Sequence, residues 1–281
     1  MGLLMNKKRI VFTDLDGTLL DHYTYQTDAA EETIVALKFN KIDIVPNTSK
    51  TEQEILLIRE QLALEGPFIT ENGAAVYIPI NYFPQQPADT KIKNGFWVKS
   101  FTQSTDFWVA LLKKQALEFE SDFQGFSQLT VAQLAKLTGL SEVLAKLAMT
   151  RNYSEPINWI GTEESKHLFI QKMTKLGANI LQGGRFLHVS GLCNKGQAQA
   201  WLTAQYQQAS PQDEIITIAL GDGENDNAML EQASIAIQIH SPVHDFPKLQ
   251  REHQIYQSKQ YGPAGWAEML QTILLSTLTH D

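Results

Sequence analysis

Two short acidic segments set the chemistry open to this chain. Asp14-Leu-Asp16-Gly-Thr18 follows the β-rich run Ile10-Val-Phe-Thr13, and Gly221-Asp222-Gly-Glu-Asn225-Asp226 follows the apolar run Ile215 to Leu220. Carboxylates at i and i+2 on a turn can face one space and divide the work. One attacks or holds a metal, and the other exchanges a proton with the leaving group. Gly17 gives the turn its backbone freedom. In the second segment three acids and an amide crowd together, a costly concentration of like charge unless a cation neutralises it. Hard oxygen donors suit magnesium, which takes a few carboxylates together with waters and substrate phosphate. A lone Asp-x-Asp is commonly a solvated turn, and an acidic loop can be a surface calcium loop, but the EF-hand spacing is missing. Two such segments at two strand ends have no bland account.

A dianionic phosphoryl group also needs donors and a fixed cation. Pro46-Asn-Thr48-Ser49-Lys50-Thr51 ends a second strand and offers hydroxyls and a helix N-terminus. Lys195-Gly196 opens a helix after Gly191 to Asn194. Taken singly, a Ser/Thr-rich helix start is usually a cap and a lysine is usually solvated.

The elements that must position these groups alternate along the chain. Strands are expected at 10–13, 42–45, 215–220 and 234–239. Helices are expected at 28–39, after the capping-box pattern Thr51-Glu-Gln-Glu54, and at 195–206, 227–233 and 264–278. Apolar rather than alternating strand runs point to a parallel sheet covered on both faces, the doubly wound α/β class. Ligands of such sheets bind beyond the carboxyl ends of the strands, where both acidic segments fall. Phe68-Ile69 and Ala75 to Ile78 flank Glu71-Asn72-Gly73, a turn signal between two short strands. Residues 79–94 carry Pro79, Pro84 and Pro87 and read as a connection. Helices near 104–120, 130–137, 141–148 and 162–176, with strands at 178–181 and 186–189, then compose an inserted α+β module. The expected division is 1–83 and 187–281 for the core and 84–186 for the insertion.

Composition narrows the partners. The chain has 281 residues, 43% of them hydrophobic, which is ample for a core. A net charge of −8 excludes the broad basic footprint of a nucleic-acid binder. An anionic ligand therefore needs locally placed cations or a metal. No apolar run reaches the ~18 residues of a membrane span. Met1 to Met5 is too short for a signal peptide, and Asn6 argues against myristoylation of Gly2, so the chain reads as cytosolic with no membrane partner. Cys193 stands alone, which excludes an intrachain disulfide and a cysteine metal cluster, and reads as a small buried residue.

In order and type these segments resemble the haloacid dehalogenase superfamily of aspartyl-phosphate phosphatases. Its Asp-x-Asp-x-Thr motif matches residues 14–18, its strand-ending Ser or Thr fits Thr48, its lysine looks like Lys195, and its acidic motif looks like Asp222 and Asp226. The insertion is similar to the large α/β cap of the sugar-phosphatase branch. The resemblance implies that Asp14 attacks phosphorus and that Asp16 protonates the leaving alkoxide and then assists water. It implies Mg2+ held by Asp14, the backbone carbonyl of Asp16, and Asp222, with Asp226 in support, while Thr48 and Lys195 hold the phosphoryl oxygens.

Many members of that branch read Thr-Gly-Arg where this chain reads Thr48-Ser-Lys-Thr51. With Glu71-Asn-Gly-Ala74, Arg151-Asn-Tyr-Ser-Glu-Pro156, Gly183-Gly-Arg-Phe-Leu-His188 and Gly262-Pro-Ala-Gly-Trp266, the chain looks like the mannosyl-3-phosphoglycerate phosphatase family. That implies a small phosphorylated metabolite carrying a phosphate, a glycerate carboxylate and a sugar. Ser49, Lys50, Asn72 and Gly73 are the substrate contacts expected from the core. Arg151, Ser154, Glu155, Arg185 and His188 are those expected from the cap, with Arg151 or Arg185 clamping the carboxylate bidentately and Ser154, Glu155 and His188 meeting sugar hydroxyls. A plain ion pair of Arg151 and a structural His188 are the competing readings. The five tryptophans read as core rather than as sugar platforms. Glucosyl-3-phosphoglycerate, another sugar phosphate, and an idle phosphometabolite-binding module stay open beside the mannosyl ester.

Overall fold

The computed structural model describes residues 6–183 and 186–275. The chain opens with β1 (Lys7–Thr13), polar at its first residues and buried from Ile10 onward. Then come α1 (Glu31–Phe39), β2 (Asp43–Pro46) and α2 (Glu52–Gln61). The expected capping box is present at α2. Glu54 N donates to Thr51 Oγ1 and Thr51 N donates to Glu54 Oε2, which satisfies two orphan donors of the helix start.

A hairpin follows, β3 (Phe68–Thr70) against β4 (Ala75–Pro79). Its turn holds Glu71, Asn72 and Gly73 all in the left-handed region, at φ 49°, 59° and 87°. β5 (Lys91–Lys93) and β6 (Phe96–Ser100) extend that hairpin into a four-stranded sheet of order β3-β4-β6-β5. The stretch expected as a plain connection thus contains a strand. Its short, mostly polar Lys-Ile-Lys sits at a sheet edge and gives no periodic signal.

The next sheet comes from α3 (Thr105–Gln115), β7 (Phe123–Gly125), α4 (Val131–Thr138), α5 (Glu142–Met149), β8 (Glu155–Trp159), α6 (Glu163–Lys175), β9 (Asn179–Gly183) and β10 (Phe186–Ser190). Its four antiparallel strands run β7-β8-β10-β9. Trp108, Leu112, Phe119, Ile157, Phe169, Met173, Leu187 and Val189 fill its own core. The sheets therefore group the chain otherwise than the expected division at 83/84 and 186/187. β5 and β6 are tied to β4, and β10 is tied to β8 and β9. We propose a cap spanning about residues 102 to 190, bounded by those pairings.

The chain then returns through α7 (Lys195–Ala209), β11 (Glu214–Gly221), α8 (Asn227–Gln232), β12 (Ile235–His240), β13 (Ile255–Tyr261) and α9 (Gly262–Leu270). The main sheet is five-stranded and wholly parallel, in the order β13-β12-β11-β1-β2. Its two faces are both covered. Val11, Ile44, Ile218 and Leu220 pack with Leu37, Ile55 and Trp266 on one side. Ile10, Phe12, Val45 and Ala219 pack with Leu202, Tyr206 and Met229 on the other. That double burial is why these strands read as continuous apolar runs. β13 escapes the sequence reading because only Ser258 of its seven residues is buried, as suits an edge strand. β2 leaves β1 on one side and β11 returns on the other. The crevice beyond the carboxyl ends of β1 and β11 is the switch point of the sheet.

Candidate active site

The loop after β1 is wound tightly into the sheet end. Asp14 N donates to Leu220 O at 2.9 Å, and Gly17 N donates to Leu20 O at 2.9 Å. Gly17 sits at φ 77°, and a Cβ there would come within 2.6 Å of Asp222 Oδ2. Only glycine lets the two acidic loops approach this closely. Thr18 Oγ1 donates to Asp222 Oδ1 at 3.0 Å and ties them together. From beneath, Trp266 Nε1 donates to Thr13 Oγ1 at 3.0 Å, and that hydroxyl donates to the Asp14 carbonyl at 2.7 Å. The tryptophan of α9 thereby buttresses the Asp14 backbone.

Lys195 is fully buried at the start of α7, and its Nζ lies 2.6 Å from both Asp14 Oδ1 and Asp226 Oδ1. Burial works against its charge, but the two carboxylates outweigh it and hold the ammonium above the ordinary lysine value. Asn47, fully buried after β2, donates from Nδ2 to the Lys195 carbonyl at 3.0 Å. Thr48 is fully buried too, and its hydroxyl accepts from Lys50 N at 3.3 Å. Asp226 Oδ2 accepts from Asp222 N and Gly223 N at 3.1 and 3.0 Å, which shapes the loop after β11.

Asp14, Asp222 and Asp226 offer carboxylate oxygens all within 4.8 Å of one another, and all three residues are buried. Burial raises the Asp14 carboxyl to about 7, against Lys195 and with Asp226 and Asp16 adding to the rise. Burial likewise pushes Asp222 up to about 6, with Asp14 contributing next, and raises Asp226 against the pull of Lys195. Three carboxylates thus share one ammonium. A hard divalent cation fits such a set, because the donors are all oxygen and their mutual repulsion needs a further positive charge. Asp16 stands outside this cluster, with Oδ1 2.7 Å from Lys50 Nζ.

A cavity of about 750 Å³ opens over this centre. Asp14, Asp16, Ser49 and Asp222 line it, Gln182 of the cap also reaches it, and Val243 to Lys248 supply one stretch of its wall. His244 on that wall places Nε2 3.4 Å from Asp222 Oδ2. No motif marks this wall in the sequence, since a lone histidine in a loop carries no spacing signal.

Of the expected substrate contacts, Ser49 lines the cavity, and several others serve the joint between core and cap. Arg151 Nε donates to Ser154 Oγ at 2.9 Å and lies 3.4 Å from Glu71 Oε2, while Nη2 donates to the Ser49 carbonyl at 2.8 Å. Glu71 also accepts from Asn152 N, Tyr153 N and Ser154 Oγ at 2.8, 3.2 and 2.6 Å. Arg151 is therefore an ion-pair partner of the core rather than an open clamp. Asn72 Oδ1 accepts from Asn225 Nδ2 at 3.1 Å, and a Cβ on Gly73 would meet Asn194 O at 2.1 Å. Both residues pack the hairpin turn against the other loops.

Glu155 is not brought to the cleft. It shares a sheet face with Ile157, accepts from Ser127 N at 2.8 Å, and lines a separate small cavity under α3. The sequence places it next to Ser154, but strand alternation turns successive side chains to opposite faces. His188 lies on the other face, buried, with its imidazole pushed down to about 3 by burial and then by Arg151. Arg185 lies outside the described residues. Trp97, Trp108 and Trp266 are buried, and Trp159 and Trp201 pack against the cores. Cys193 is buried, as expected. No described helix is long and apolar enough to cross a membrane.

Comparison with known proteins falls on the same parts. Residues 11–96, from β1 through both loops that meet at Asp14 and Thr48, match the family model described as haloacid dehalogenase-like hydrolase. The chain belongs to that family and is one of its phosphatases. Among curated proteins it is 33% identical over 267 residues to the glucosyl-3-phosphoglycerate/mannosyl-3-phosphoglycerate phosphatase of Methanococcoides burtonii, covering 95% of this chain and 97% of that protein. Solved structures share the fold at low identity. A haloacid dehalogenase-like hydrolase from B. subtilis matches with TM-score 0.64 and 17% identity over 94% of this chain and 99% of its own. The sucrose-phosphatase of Synechocystis sp. PCC6803, solved with sucrose and phosphate, matches with TM-score 0.60 and 13% identity over 95% and 98%.

Proposed function

We propose that this phosphatase is a magnesium-dependent phosphomonoesterase that works through an aspartyl-phosphate on Asp14, with a glycosyl-3-phosphoglycerate as substrate. The observation that carries the reading is the buried Asp14 carboxylate held by Lys195 at 2.6 Å beside Asp222 and Asp226. Asp14 attacks phosphorus in line, the ester P–O bond breaks, and Asp16 gives its proton to the departing oxygen. Water then attacks the aspartyl-phosphate and yields a proton to Asp16, and Asp14 leaves as carboxylate. Lys195 and Thr48 hold the phosphoryl oxygens, so most of the rate comes from positioning and charge neutralisation. Mg2+, when bound by Asp14, the Asp16 carbonyl, Asp222 and Asp226, neutralises charge on the transferring group. Closure of the cap over the cavity excludes water from the attack.

The mannosyl ester is the substrate favoured by the motifs of the chain, and the name of the M. burtonii relative couples it with the glucosyl ester. We take both as substrates of one site. The deciding measurement is kcat/KM with Mg2+ across an ester panel that includes both. A preference of ~10²-fold or more over simple hexose phosphates, about 2.7 kcal/mol of discrimination, supports the reading. A flat profile removes the substrate and keeps the phosphatase.

A further inference from the structure

Lys50 stands behind Asp16 as seen from the cleft. Its Nζ lies 2.7 Å from Asp16 Oδ1, 3.8 Å from Glu54 Oε1 and 5.3 Å from the centroid of the Tyr25 ring. Two of these partners are already committed. Glu54 caps α2 through Thr51 N, and Tyr25 offers the face of its ring. Asp16 alone belongs to the cavity wall, with its side chain 38% exposed against 13% for Lys50. Lys50 itself lines a neighbouring groove of about 410 Å³, together with Leu20, Tyr25 and Glu54, and not the cavity over Asp14.

We propose that Lys50 is a positioning residue that fixes the Asp16 carboxyl for proton transfer, and that it is not a ligand of the substrate. The inference rests on the role given to Asp16 under the proposed function. Proton transfer needs the donor oxygen within hydrogen-bond reach of the departing oxygen. A half-exposed carboxyl on a turn has free rotation about two bonds. An ammonium anchored from its rear by Glu54 and Tyr25 removes that freedom through Oδ1 and leaves Oδ2 to carry the proton.

The test compares Lys50→Met, Lys50→Arg and Asp16→Asn by kcat/KM with Mg2+ on three esters: p-nitrophenyl phosphate, a hexose phosphate, and mannosyl-3-phosphoglycerate. Nitrophenolate departs without a proton, whereas both alkyl esters need one. Lys50→Met is expected to lose about 10- to 100-fold on both alkyl esters and under about 3-fold on the nitrophenyl ester. Lys50→Arg restores most of the loss, and Lys50→Met adds little in the Asp16→Asn background. A loss confined to the glycerate-bearing ester makes Lys50 a substrate ligand and overturns the proposal. An equal loss on all three makes it a support of the loop and overturns the proposal as well. If Asp16→Asn shows no dependence on the leaving group, the role of Asp16 falls first and the proposal falls with it.

Discussion

Arg151 Nη2 donates to the carbonyl of Ser49 across 2.8 Å, so a cap side chain holds the backbone beside Thr48. The Arg151 side chain is 5% exposed, and its Glu71 partner is fully buried. Removing one member of a buried pair leaves the other uncompensated, at a cost of about 3–5 kcal/mol. Arg151→Ala is therefore expected to lower unfolding stability by about 3 kcal/mol and to lower kcat/KM alike on nitrophenyl and glycosyl esters. Denaturant titration and the two-ester comparison check this. A loss on the glycerate-bearing ester alone, in a stable protein, would return the arginine to carboxylate binding.

Local pattern in the sequence reaches part of this structure. β1, β2 and β11 declare themselves because both faces of the parallel sheet are buried, and the acid loops follow directly from their ends. Asp14, Asp222 and Asp226 meet as their positions at strand ends require. The joint between core and cap was not legible. Glu71 finds its partners 80 to 83 residues onward, and nothing in Glu-Asn-Gly marks a buried carboxylate that accepts from three donors and pairs with Arg151. Its contacts depend on the turn that also lodges Gly73 against Asn194. The placement of Glu155 was hidden for the opposite reason, since nearness to Ser154 in sequence says nothing about which face of β8 it occupies.

Asp14→Asn should abolish turnover while keeping the fold. The amide cannot attack phosphorus, and loss of the nucleophile should exceed about 10⁴-fold in kcat. Burial already disfavours this charge, and Lys195 keeps Asp226 as a partner. Melting without Mg2+ should stay within a few degrees of wild type or rise. A folded variant with wild-type turnover would remove Asp14 as nucleophile.

Metal linkage gives a readout that does not depend on activity. A cation bound only by the folded state at 100 times its Kd adds about 2.7 kcal/mol of stability. Mg2+ should raise the melting temperature of wild type, EDTA should reverse the rise, and Asp222→Asn should blunt it. Equal Mg2+ shifts in wild type and Asp222→Asn would place the ion elsewhere.

His188 gives a pH signature distinct from that of the acidic centre. Its folded imidazole stays neutral down to about 3, whereas an unfolded one takes a proton near 6.5. The unfolded state thus binds more protons below 6.5, and stability falls as pH falls. The contribution is whole above 6.5 and declines toward 3, by at most about 1.4 kcal/mol per pH unit. The raised Asp14 and Asp222 carboxyls act with the opposite sign, so the effect is read as a difference between wild type and His188→Gln, in which they cancel. Between pH 6.5 and 4.5 the variant should lose about 2 kcal/mol less than wild type. Denaturant titrations at the two pH values measure it, and parallel losses would mean that the imidazole is hydrated and free to charge in the folded cap.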